Sequence, residues 1–191
     1  MARIGMYTLI QSARALANAG TGEFTVGNST YWNDHHIEDA LDDHRRDFQY
    51  QLMIVEPTQE SGSVTYKRFW TYPYLESGTA AFYLQTAGGA QVAGSIYEVD
   101  YQRGLVEFTN DTHGTAFYAT GHAYDIHAAA ADIWERKAAY AASNVDWSTD
   151  NHNIRASQYY DHCMKQASRC RTMAVPVSVT IYRGDTPPGA Q

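Results

Sequence analysis

The chain has 191 residues, of which 44 % are hydrophobic, 18 % charged and 13 % aromatic, and a formal net charge of −7. That composition excludes disorder, collagen and coiled coil, and the length allows one core to bury roughly two thirds of the unfolded surface without staples. The acidic balance argues against a whole-protein nucleic-acid binder. No apolar run approaches the roughly 20 residues that span a bilayer, and the opening segment alternates polar and apolar positions, so the expectation is a soluble protein made in the cytosol.

From residue 3 to 18, Met6, Leu9, Ile10, Ala13, Leu16 and Ala17 recur at three- and four-residue intervals, which predicts an amphipathic helix closed by Gly20 and Gly22. After a polar loop, Asn33 or Asp34 offers a cap to a second helix, with Asp34, Glu38 and Asp39 near the positive end of its dipole. Ile37, Leu41, Phe48 and Leu52 form its expected buried stripe, and Pro57 closes it. The period then falls to two. Strands are predicted over 63–71, 80–85, 95–100, 104–108 and 115–121, separated by turn residues such as Gly88-Gly89 and Asn110-Asp111. In SIYEVDYQRGLVEF a tight loop ending at Gly104 predicts a hairpin.

Near Gly121 the helical period returns, with Ile126, Ala130, Ile133, Trp134, Lys137 and Ala141 down one side of an alanine-rich helix. A loop of cap-prone residues covers 144–153. Ile154, Gln158, Tyr160, Met164, Ala167, Arg171 and Met173 then outline a fourth helix, and 175–182 alternates like a strand after Pro176. The expected fold is α+β: a helical bundle of about four helices with an inserted small antiparallel β-sheet or barrel and a C-terminal strand-like arm. Its parts are the N-terminal helices (1–56), the inserted β region (57–121), the C-terminal helices (122–174) and the arm (175–191).

Chemistry is sparse in this pattern. Cys163 and Cys170, seven residues apart on one helix, would stand about 10.5 Å from each other, beyond the roughly 7 Å limit for a disulfide, so both are expected as buried free thiols. His35, His36, Asp39 and Asp42 are the best local metal cluster but lack a further convergent ligand, and His122 and His127, flanking Asp125, suit capping or core hydrogen bonds. No nucleophile elbow or phosphate loop occurs, and Glu98, Asp100 and Glu107 fit a solvated sheet face. No catalytic residue, metal or cofactor is expected. Tyr66, Trp70, Tyr72, Tyr74, Phe82 and Tyr83 are strand-packing residues that also suit stacking on sugars, which keeps a carbohydrate- or surface-binding β module as the alternative.

Charge is unevenly distributed. From Glu23 to Glu60 nine acids face two bases, whereas from Arg136 to Arg183 seven bases face three acids. Solvated helix faces would account for this; so would a subunit that meets its own copies head to tail. The candidate interface therefore comprises Glu38, Asp39, Asp42 and Asp43 on the acidic side and Arg155, Lys165, Arg169 and Arg171 on the basic side.

Three segments in order, YWNDHHIEDALDDHRRDFQY, SIYEVDYQRGLVEF and AYDIHAAAADIWERKAAYAA, resemble the head-to-tail connector (adaptor) proteins of long-tailed bacteriophages. The likeness rests on a Trp-x-Asp helix start at Trp32 and Asp34 with the Ala40-Leu41-Asp42 run. It continues in the hairpin at Tyr97, Val99, Asp100, Gly104, Val106 and Phe108, and in the polar loop Ser148, Thr149 and Asp150 before the last helix. The resemblance implies a non-enzymatic virion protein at the neck, assembled in the host cytoplasm into a homo-oligomeric, dodecameric ring beneath the portal protein. Such a ring extends the DNA channel without sequence-specific binding, stands on no membrane, and offers a platform to a downstream neck or tail-completion protein. It also implies that the arm, through Val175, Val177, Val179, Ile181, Tyr182 and Arg183, reaches toward the portal.

Overall fold

A computed structural model describes residues 2–60, 62–143, 147–149, 152–154 and 156–175. The first helix, α1 (Tyr7–Leu16), follows a single 3-10 turn at Ile4–Met6 and buries Met6, Leu9, Ile10 and Ala13, as its stripe predicts, while Leu16 turns partly to solvent. A ribbon of β1 (Phe24–Val26) and β2 (Ser29–Tyr31) occupies the expected polar loop. The helix α2 (Asp34–Asp42) is capped by Asn33, whose side chain accepts from the His36 N–H at 2.9 Å.

The second helix is shorter than its apolar spacing predicts. Residues 45–60, expected to prolong and close it, form β3 (Arg45–Leu52) and β4 (Ile54–Glu60) instead. Asp42 and Asp43 sit where a helix carries its partial negative charge, which disfavours continuation. Beyond them Phe48, Tyr50 and Leu52 also alternate at the strand period. Phe48 alone of β3 is buried; Leu52 is exposed.

The remaining strands are β5 (Ser63–Trp70), β6 (Phe82–Thr86), β7 (Tyr97–Asp100), β8 (Leu105–Phe108) and β9 (Phe117–Tyr124). They overlap the five predicted runs. All pairing is antiparallel, in one four-stranded sheet ordered β4-β5-β8-β7 and one three-stranded sheet ordered β3-β9-β6. Between β3 and β4 the chain passes from one sheet to the other through the single residue Met53, and a shared core fills the space between them: Phe48, Phe82, Leu84 and Phe117 from one, Phe69, Val106 and Phe108 from the other. Phe108 stacks on Phe117 at 4.5 Å while Phe69 meets Phe117 edge-on at 5.4 Å, both favoured ring arrangements.

The hairpin β7–β8 pairs Tyr97 with Phe108 and Asp100 with Leu105. Asp100 Oδ1 accepts from the N–H groups of Gln102 and Arg103, both at 3.1 Å, and Gly104 adopts φ +68°. A Cβ on Gly104 would lie 2.1 Å from the Tyr72 carbonyl oxygen, so the turn admits no side chain there.

Strand β9 runs directly into α3 (Ile126–Ala142) through Asp125, whose carboxylate caps the helix by accepting from His127 and Ala128. The long α3 is the hub of a second core, in which Ala129, Ala130, Ile133 and Ala138 meet α1, α2 and α4 (Ala156–Met173). Among the described side chains of α4, Cys163, Ala167 and Cys170 are buried, at an i, i+4, i+7 spacing against the alanines of α3. Both cysteines are buried as expected, and of the residues that outline the helix Ala167 is buried while Tyr160, Met164 and Met173 are exposed. Small side chains let the two helices approach closely, and proximity rather than bulk selects that face. Between α3 and α4, β10 (Trp147–Thr149) and β11 (His152–Ile154) form a two-stranded ribbon where the cap-prone residues predict a loop.

Candidate functional site

The acidic helix and the basic helix both pack on α3. Their charges divide into those spent within the subunit and those left outside. Glu38 is 5 % exposed, and its carboxylate accepts from the Arg3 backbone N–H at 3.2 Å and pairs with the Arg3 guanidinium at 2.8 Å. Arg3 also holds Asp42 and approaches the buried Glu76 at 3.9 Å, and Glu76 in turn accepts from the Tyr124 hydroxyl at 2.7 Å. Burial works against the Arg3 charge, yet the bond to Asp42 and the attraction of Tyr124 and Glu76 outweigh it and hold its proton more tightly than usual. Burial first, and then the bond to Glu76, push the Tyr124 hydroxyl above the ordinary phenol range.

Asp39 and Asp43 face outward. Among the described residues, Asp39 meets the exposed His35 at 3.7 Å and Asp43 meets Arg136 at 3.8 Å. On the basic side Arg171 is committed to α3: it donates to Glu135 at 2.9 Å and to Asp132 at 2.7 Å, and the other oxygen of Asp132 bonds His44 at 2.7 Å. The bond to Glu135, working against burial, raises the Arg171 pKa. Lys165 and Arg169 are exposed and have no carboxylate within ion-pair distance among the described residues. Arg155 lies outside the described residues, as do Val177, Val179, Ile181, Tyr182 and Arg183; Val175 is exposed, and its N–H donates to Asp125 Oδ2 at 2.7 Å.

Sequence reading missed the residues that anchor the elements behind these faces. Lys137, 1 % exposed, pairs with Glu23 at 2.7 Å, donates to the Asn18 carbonyl at 2.7 Å and lies 4.8 Å from the Trp134 ring. Trp134 Nε1 donates to the Leu16 carbonyl at 3.2 Å, so α3 fastens the end of α1 and the β1–β2 ribbon together. The signal was present: Lys137 falls on the side of α3 that the helical period singles out with Ile126, Ile133 and Trp134. Nothing comparable marks Arg3 or Asp132.

The other candidates are dispersed. His36 stacks on Tyr31 at 4.5 Å, His35 is exposed, and His122 bonds Asp47 on the sheet at 2.7 Å. Among the described residues no group of three or more His, Cys, Asp or Glu converges as a metal set. Glu98 and Glu107 lie directly opposite each other on β7 and β8. Of the tyrosine-rich set, Phe82 is core, Tyr72 lies under the Arg46 guanidinium at 4.3 Å, and Trp70 faces Arg103 at 5.5 Å while its Nε1 donates to Glu56 at 2.7 Å. Both cysteines are buried free thiols, with burial pushing their pKa values up. Among the described residues, no helix is long and apolar enough to cross a membrane.

No family model matches the chain, and no curated protein or solved structure matches it either.

Proposed function

We propose that the chain is a structural subunit, a head-to-tail connector of the long-tailed phage type, that assembles head to tail with its own copies into a ring below a portal protein. The observation that carries this reading is the separation of outward-facing charge. Asp39 and Asp43 face outward from one helix, and Lys165 and Arg169 from another, while Glu38, Asp42 and Arg171 are held by partners inside the subunit. Two unlike patches on one surface suit a heterologous contact, in which each copy presents its acidic helix to the basic helix of the next. In that role the subunit needs neither catalysis nor cofactor, extends the DNA channel, and carries a neck or tail-completion protein on its far side. Negative-stain electron microscopy of the purified protein, alone and with portal particles, tests this. Closed rings or portal-bound collars are expected, and a monodisperse monomer that never joins portals would end the proposal.

A further inference from the structure

Two exposed arginines of the β region, Arg46 and Arg103, are held by rings and not by carboxylates among the described residues. The Arg46 guanidinium lies 4.3 Å from the centre of the Tyr72 ring. That of Arg103 lies 5.5 Å from the Trp70 ring, and Arg68 approaches the same indole at 5.9 Å. Trp70 ends β5 and Tyr72 follows two residues later, so both rings rise from one stretch of chain.

That stretch is fixed by two neighbours. The Thr71 N–H donates to the Gly104 carbonyl at 2.9 Å and the Tyr74 N–H to the Gln102 carbonyl at 3.1 Å, which lays the hairpin loop carrying Arg103 alongside it. Phe48 meets Tyr72 edge-on at 5.1 Å, and Arg46 stands two residues before Phe48 on the same face of β3. The neighbouring acids are engaged. Glu56 accepts from the Trp70 indole N–H at 2.7 Å and pairs with Arg68 at 3.5 Å, and Asp100 accepts from the N–H groups of Gln102 and Arg103.

A ring under a guanidinium covers one face of the planar cation and fixes its direction, while the N–H edges stay open to a partner. Those edges match the paired oxygens of a phosphate, and an orientation settled beforehand lowers the cost of binding. We propose that Arg46 and Arg103, with Tyr72 and Trp70 behind them, form a contact surface for the phosphodiester backbone of single-stranded nucleic acid. Two ring-backed cations on one stretch suit a strand whose phosphates repeat, and the outer face of each guanidinium offers a plane to an unstacked base without selecting sequence. Glu56 and Asp100 beside them disfavour the continuous negative charge of a lipid surface, which leaves a narrow strand as the occupant. The net charge of −7 confines binding to this surface and makes it weak and salt-sensitive. The inference goes beyond the connector reading and stands without it.

Fluorescence anisotropy with a short labelled single-stranded DNA of mixed sequence tests it. The proteins compared are the parent, Arg46→Ala with Arg103→Ala, Arg46→Lys with Arg103→Lys, and Lys165→Ala with Arg169→Ala, each checked by circular dichroism. In the parent, log affinity is expected to fall against log salt with a slope of about −1.4, from two phosphate contacts at about 0.7 each. The β-region Ala pair should lose about tenfold in affinity, the Lys pair part of that, and the α4 pair nothing. A parent that does not bind, or an Ala or Lys pair in the β region that binds like the parent, overturns the proposal; so does an α4 pair that loses as much. Equal affinity for vesicles of phosphatidylserine and phosphatidylcholine overturns it too, because the surface then recognises anionic lipid. Electron microscopy of the same variants scores ring formation separately, so this inference and the connector reading fail independently.

Discussion

Asp47 shows how a single side chain couples the three-stranded sheet to pH. Burial raises its pKa, but hydrogen bonds from His122 and Arg45 and their positive charge outweigh it, and the carboxyl is held below its ordinary value. A carboxyl depressed in the folded state stabilises fully above its unfolded pKa, and that contribution is lost as pH falls through the lower folded value. Asp111, fixed by the N–H groups of Tyr66 and His113, is depressed as well and acts in the same window. The urea midpoint should therefore fall steeply below about pH 4, and Asp47→Asn should flatten part of that fall while leaving the midpoint at neutral pH less affected. A parent and variant with parallel acid limbs would contradict the assignment. At this scale the sequence was a partial guide. Cap residues such as Asn33 and Asp125 were recognisable from their type and place, whereas the partners of Arg3, Asp132 and Lys137 come from elements 35 to 119 residues away or more, which no local pattern encodes.

Among the elements, strands announced themselves through turns and alternation. The hairpin was legible down to the function of two residues, since Asp100 and Gly104 shape its loop. Gly104→Ala forces a side chain into φ +68° and against the Tyr72 carbonyl at 2.1 Å, so urea unfolding should show a loss of more than about 1 kcal/mol. A neutral effect would mean that the turn relaxes at no cost. The second helix was overextended because Ile37, Leu41, Phe48 and Leu52 satisfy the helical period as well as part of the strand period. The decision was taken by pairing with β9, a partner some 70 residues on. For α4 the two cysteines were legible as buried thiols, whereas the large apolar residues gave no guide to the face: the alanines of α3 leave room for a close partner, and Cys163, Ala167 and Cys170 fill it.

For the molecule as a whole, the sequence conveyed the class, α+β with about four helices and antiparallel sheets, and the polarity of its charge. It did not distinguish charges spent internally from charges available to a neighbour, because that depends on which acid each base meets after folding. The distinction sharpens the assembly test. Reversing Arg171 would break its bonds to Asp132 and Glu135 and disturb α4 itself. Lys165→Glu with Arg169→Glu touches neither, so circular dichroism should stay normal while ring or collar formation falls, and the second reversal of Asp39 and Asp43 to Lys should restore it. Normal assembly by the Lys165/Arg169 variant would remove α4 from the interface.

Asp125 also has a mechanical consequence. The end of the three-stranded sheet, the first turn of α3 and the exit of the C-terminal segment are joined through one residue. A pull transmitted through Val175 loads its bond to Asp125. Tension that reaches Asp125 is then divided between a sheet and a helix lying on different cores, so the residue acts as a fulcrum through which the two halves of the subunit share an external load.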